Sequence, residues 1–178
     1  MSRSIGMIRR LKSIVPRNVL KQLFYSFIYS KFTYGIACYG SAYQNQIQRL
    51  KNVVKRALKI VLNSTVISST LLRRENILDF DLAYMYFCTV NMYKILCLNY
   101  HESLATKINS FQTFHLHQTR AVSNQNLTLP LYYLTKCQNS FIYRGIEFWN
   151  TIRRDLRNVP NDLNVFKRLL KRSILNQT

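Results

Sequence analysis

The sequence predicts an all-α protein, an irregular bundle of four to six helices. Three observations carry this. Only four Gly and three Pro occur in 178 residues, too few breakers for a turn-dense sandwich or barrel. Apolar residues recur at helical spacing over long stretches, and Asp or Pro stands where several of those stretches begin. With 48% apolar residues and 13% aromatics the chain can build a core and is not a disordered composition. At this length roughly 70% of the unfolded surface can be buried.

The first helix is expected after Pro16, with Val19, Leu20, Leu23, Phe24, Phe27 and Ile28 on its apolar side, running to about Tyr34. Gly35 and Gly40 bracket a short turn region. A second long helix is expected over 42–62. At 100° per residue, Ile47, Leu50, Val53, Val54, Ala57, Leu58 and Val61 share one face, and Arg49, Lys51, Lys55, Arg56 and Lys59 share the other. A polar connector, a helical turn over 70–75 and an N-cap at Asp79 follow. The next helix, over 80–98, is apolar nearly all round, which places it at a bundle centre; Asp81 and Lys94 each sit at the end the helix dipole favours. Residues 99–138 lack a period, and Pro130 within 127–134 leaves room for one short β-hairpin near 120–135. Helical spacing returns over 140–152 through Phe141, Ile142, Ile146, Phe148 and Trp149. Asp162 can cap a last helix carrying Val165, Phe166, Leu169, Leu170 and Ile174.

Charge directs the functional reading. The first 74 residues hold 14 Lys and Arg and no acid, whereas the remaining 104 hold 12 basic and all seven acidic residues. A folded half of one sign repels itself unless a polyanion or counterions neutralise it, and nucleic acid is the favoured neutraliser. Lys51, Lys55 and Lys59 repeat every fourth residue and span about 12 Å, comparable to a few phosphates of one strand. An ordinary solvated face would mix Glu with Lys, since opposite signs at i,i+4 support a helix. Arg49, Lys51, Lys55, Arg56 and Lys59, with Arg9, Arg10 and Lys12 near the N-terminus, are therefore the candidate nucleic-acid-binding residues.

No catalytic residue, metal site or cofactor is expected. Two-metal phosphoryl transfer needs carboxylates brought together by the fold, and the one close pair, Asp79 and Asp81, reads as a helix cap and a first-turn charge. There is no phosphate-cradling loop, nucleophile elbow or His-Glu-x-x-His. Cys38, Cys88, Cys97 and Cys137 have no Cys-x-x-Cys spacing, and His115 and His117 have no ligating cysteine nearby, so the cysteines read as buried free thiols of a reducing compartment. The longest uncharged run, 32–48, is too short and polar to span a membrane. An intracellular location, nuclear or cytoplasmic, is expected. The basic, Ser-containing residues 1–11 also fit a mitochondrial presequence.

Beyond composition, the order of residues resembles a known family. The stretch 6–11, the helix after Pro16, the turn Phe32-Thr33-Tyr34-Gly35-Ile36-Ala37-Cys38-Tyr39-Gly40, the basic helix 50–61 and Thr70-Leu71-Leu72 leading to Asn76-Ile77-Leu78 look like the region downstream of the palm in non-LTR, LINE-type retrotransposon reverse transcriptases. Thr119-Arg120, Arg144-Gly145-Ile146-Glu147-Phe148-Trp149-Asn150 and Phe166-Lys167 agree. The resemblance implies a thumb-like region over 1–74 and a C-terminal helical extension over 75–178 packed on it, or one continuous domain, lying along a template–primer duplex. It makes Lys51, Lys55, Arg56 and Lys59 backbone contacts and Tyr34, Trp149 and Phe166 core positions. Two positions depart from the family pattern: Tyr39 replaces the usual Trp, and Ile152-Arg153 replaces Leu-Pro. The Tyr-x-Asp-Asp polymerase motif is also missing. The resemblance therefore implies a fragment without polymerase activity of its own, the palm and fingers lying before Met1. Its expected partners are RNA or DNA backbone, read without sequence preference, and the rest of a reverse transcriptase. The alternatives are a basic helical protein-interaction module, mitochondrial or ribosome-associated, and a transposon-derived remnant without function.

Overall fold

Helix dominates the computed structural model, which describes residues 1–108, 126–157 and 162–177, and no strand forms among the described residues. Helices outnumber the expected four to six because single-turn helices fill several connections. The chain divides into two compact units, Met1–Ala83 and Tyr84–Thr178.

The first unit contains α1 (Ser2–Leu11), α2 (Arg17–Phe24), a π-helical turn (Tyr25–Tyr29), α3 (Ser30–Thr33), α4 (Ile36–Tyr39), α5 (Gln44–Leu62), α6 (Ser69–Arg74) and the first turn of α7 (Phe80–Leu96). From α2 to α3 the backbone is continuously helical, as the spacing predicts, and the π turn has a physical cause. Leu20, Phe24, Ile28 and Phe32 are all 4% exposed or less and lie four residues apart. In a regular α-helix each step of four overshoots a full turn by about 40°, so three steps would carry Phe32 off the buried side. A wider π turn takes up that drift. Tyr25, Tyr29 and Phe24 pack edge-on or tilted around it, with ring centroids 5.1–6.0 Å apart.

The helix stops at Tyr34, whose ψ of 116° is extended, and Gly35 follows at φ 66°, where a side chain would be strained. Tyr34 is thereby turned outward and is 86% exposed, which corrects its expected core position. Tyr39 holds this corner closed, its hydroxyl donating to the Phe32 carbonyl.

Helix α5 begins at Gln44 and ends at Asn63, which adopts φ 50° and lets the Asn63 and Ser64 amides return to the Lys59 carbonyl. Ser68 caps α6 through Leu71 N at 3.2 Å, and Asp79 caps α7 through Leu82 N at 3.0 Å. Helix α1 is an element the periodicity argument did not reach. Its signal is short, Ile5 and Ile8 buried three residues apart, and it packs against α2 and α5. Ile8, Phe24, Ile28, Ala57, Leu58 and Val61 are almost completely buried in this core.

The second unit contains the rest of α7, α8 (Glu102–Ala105), α9 (Thr135–Gln138), α10 (Phe141–Thr151), α11 (Arg154–Arg157) and α12 (Leu163–Gln177). Along α7, Cys88, Thr89, Val90, Met92, Tyr93 and Ile95 are all buried, the central placement its composition predicts. Tyr93 stacks on Phe166 at 4.0 Å and 12°, with Trp149 6.4 Å from the same ring. Trp149 and Phe166 are core residues, 4% and 0% exposed. Ser140 caps α10, and Asp162 caps α12 through the Asn164 and Val165 amides.

Within the span expected as a hairpin, 126–135 runs without a strand, and 120–125 lies outside the described residues. Leu127 instead exchanges two 2.9 Å bonds with the side-chain amide of Asn150, which offers the donor and acceptor that a neighbouring strand would have supplied. Arg157 is buried and donates to Asn126 Oδ1 and to the carbonyls of Asn150 and Ile152 at 2.8–3.0 Å, placing its charge at the C-terminal end of α10.

At Gly145, α10 comes close against Met92 of α7. A Cβ built there would sit 2.8 Å from Met92 Sδ, and Met92 is fully enclosed. Gly145→Val is expected to lower unfolding free energy in urea by about 2 kcal/mol through overpacking; a variant as stable as the parent would show that Met92 can move aside.

Candidate nucleic-acid interface

The amphipathic pattern of α5 is realised by packing. Ile47, Val54, Ala57, Leu58, Val61 and Leu62 are buried, while Arg49, Lys55, Arg56 and Lys59 are exposed. Leu50 and Val53, expected on the apolar face, are half-buried at its edge. The helix has no acidic residue, so each like-charged pair on it costs a few tenths of a kcal/mol. An anion laid along that face removes the cost.

Lys51 is placed differently from its neighbours. Its Nζ lies 2.8 and 2.7 Å from the two carboxylate oxygens of Asp81 and 5.2 Å from the centre of the Phe80 ring. The Lys51 side chain is 20% exposed, against 71% for Asp81. The expected row Lys51, Lys55, Lys59 is therefore interrupted at its first member, whose charge is already answered. Asp81 lies 30 residues away; nothing local to α5 announces that pairing.

Arg9, Arg10 and Lys12 are exposed at the C-terminal end of α1. Cations there complement the helix dipole, so their placement has a local cause as well as the functional one predicted for them. They belong to the same unit as α5, which carries 14 basic against three acidic residues, a net +11.

Every carboxylate of the chain has a local task. Asp79 and Asp162 cap helices, and Glu102 lies in the first turn of α8. Asp81, Glu147 and Asp155 pair with Lys51, Arg144 and Arg153. Glu75 joins α2 to the end of α6 by accepting from Arg17 at 2.5 Å and from Lys21. The Lys21 hydrogen bond, followed by the charges of Lys21, Arg17 and Arg74, outweighs desolvation and holds the Glu75 carboxyl below its usual range. Among the described residues no three His, Cys, Asp or Glu side chains gather. His115 and His117 lie outside the described residues. The cysteines are free thiols, but of the four expected to be buried only Cys88 is; Cys97 and Cys137 are half-buried and Cys38 is exposed. No helix among the described residues is long and apolar enough to cross a membrane.

A cleft of about 240 Å³ opens between α5, α6 and the start of α7. Val54, Leu58, Ile67, Leu72 and Phe80 supply its apolar surface. Gln48, Lys51, Lys55, Ser69, Asp79 and Asp81 supply its polar groups. Sequence reasoning did not find it, because its walls come from three segments whose polar residues each look solvated or capping when read alone.

No family model, curated protein or solved structure matches the chain. The site itself offers fixed positive charge on one helix face, beside a small cleft of mixed polarity.

Because the folded-state pKa of Glu75 lies below that of the unfolded chain, its pairing stabilises the fold above the ordinary carboxylate range and is lost as pH falls through the depressed value. Urea midpoints measured from neutral to acid pH should therefore show a Glu75→Gln variant that is weaker at neutral pH and converges on the parent in acid. A gap that stays constant with pH would remove Glu75 from the electrostatic account.

Proposed function

We propose that this chain is a non-catalytic nucleic-acid-binding segment that holds RNA or DNA through its phosphates, in the manner expected of a thumb and C-terminal extension of a LINE-type reverse transcriptase. The observation that carries the reading is the exposure of Arg49, Lys55, Arg56 and Lys59 on one face of a helix without an acidic residue, in a unit of net +11. These side chains are long, basic and backed by a packed core, so they present charge without presenting a base-reading geometry. Binding is then sequence-blind and driven by counterion release. The seven carboxylates are engaged in caps, first-turn positions and ion pairs, which supports assigning chemistry to another part of a larger polymerase.

A second reading, docking of a protein partner, is favoured by one observation. In the non-helical run 129–134, Leu131, Tyr133 and Leu134 are 90%, 96% and 69% exposed. Such a run suits a protein surface better than a phosphate backbone.

Four phosphate contacts predict a log–log salt slope of about −3.6 on duplex DNA. Replacing Lys55, Arg56 and Lys59 together by Gln should leave a slope of about −1 and weaken binding equally across unrelated sequences. Fluorescence anisotropy over a salt series measures both. Undiminished binding by the triple variant would take the α5 face out of the site, and primer extension by the purified chain would refute the non-catalytic assignment.

A further inference from the structure

The cleft beside α5 is balanced in charge where its surroundings are not. Lys51 and Lys55 line it together with Asp79 and Asp81, and Lys51 is held by Asp81 over the Phe80 ring. A phosphate entering would meet two carboxylates and an apolar floor, so the cleft does not continue the anion-binding face. It suits a neutral group with apolar faces and a hydrogen-bonding edge. Val54, Leu58 and Phe80 offer the apolar surface. The Gln48 amide, the Ser69 hydroxyl and the carboxylate of Asp79, which caps α7 through Oδ1 only, offer donors and acceptors at the rim. Lys55 belongs to both surfaces, lining the cleft and standing in the exposed row with Arg56 and Lys59.

We propose that this cleft receives one unpaired nucleobase of the strand whose phosphates lie along Lys55, Arg56 and Lys59. The inference rests on the phosphate-binding reading and adds a ligand to it. A base attached to a backbone that follows the exposed row needs only to turn inward past Lys55 to reach the apolar lining, where Val54, Leu58, Ile67 and Leu72 give it contact beside the Lys51-capped Phe80 ring. The volume admits one such group. The protein would then favour a strand with unpaired bases, such as a template overhang, over a fully paired duplex.

The test compares two single strands of equal charge, a 12-nucleotide oligodeoxycytidylate and a 12-unit abasic backbone, by anisotropy with the full chain at matched salt. The base-bearing strand should bind about fivefold or more tightly, with both strands showing the same salt slope. Ser69→Leu, which fills the cleft from an exposed helix position, should bring the two strands to parity and leave the slope unchanged, its fold checked by circular dichroism. Equal binding of both strands by the unaltered chain, with the salt slope intact, would overturn the base site and leave the phosphate reading standing. Absence of salt-dependent binding would overturn both. A Ser69→Leu chain that is folded and keeps its fivefold preference would also overturn the cleft as the place where the base is held.

Discussion

Burial of the apolar side of α5 is the constraint on which the first unit depends. Ile47, Val54, Ala57, Leu58 and Val61 must leave water together, and α1, α2 and the π turn pack against that helix. Once they do, the opposite face has no freedom to hide: Arg49, Lys55, Arg56 and Lys59 are fixed in solvent by the same rotation that buries the core residues. The apolar contact therefore both stabilises the unit and displays its charge. Stability and self-repulsion are coupled in one helix, and a polyanion relieves the second without touching the first.

Ion pairing is distributed so that this display is only partly answered. Glu75, half-enclosed by Arg17 and Lys21, ties two helices together, and Asp81 claims Lys51. Both acids come from beyond residue 74, so the acid-free stretch is stitched by carboxylates supplied from downstream in the chain. They pair Arg17, Lys21 and Lys51 and leave Arg49, Lys55, Arg56 and Lys59 with no acid on their own helix. The cleft follows from the same arrangement, because the segment that brings Asp81 to Lys51 also brings Phe80 and Asp79 to the edge of α5.

In the second unit the organising feature is aromatic. Tyr93, Phe166 and Trp149 form a stacked and tilted cluster inside, and Gly145 lets α10 come against Met92. The polar groups that such packing would strand are met by paired side chains: Asn150 serves the main chain of Leu127, and Arg157 serves two carbonyls at the end of α10.

The sequence by itself determined the helical class, the face that α5 buries, the central position of α7 and the caps at Asp79 and Asp162. Each of these depends on residues within one or two turns of each other, where periodicity and capping chemistry act. Tertiary structure alone decided that Tyr34 points into solvent, that α1 is a packed helix, that Lys51 is claimed by Asp81, and that Leu127 is held by Asn150 in an extended segment. Those outcomes pair residues 23 or 30 positions apart, bring separate helices together or turn on a single backbone angle. The candidate site divides the same way. Its charge was legible because four like-signed residues share a helix face, and its cleft was not, because a concavity belongs to the packing of several segments and to no one of them.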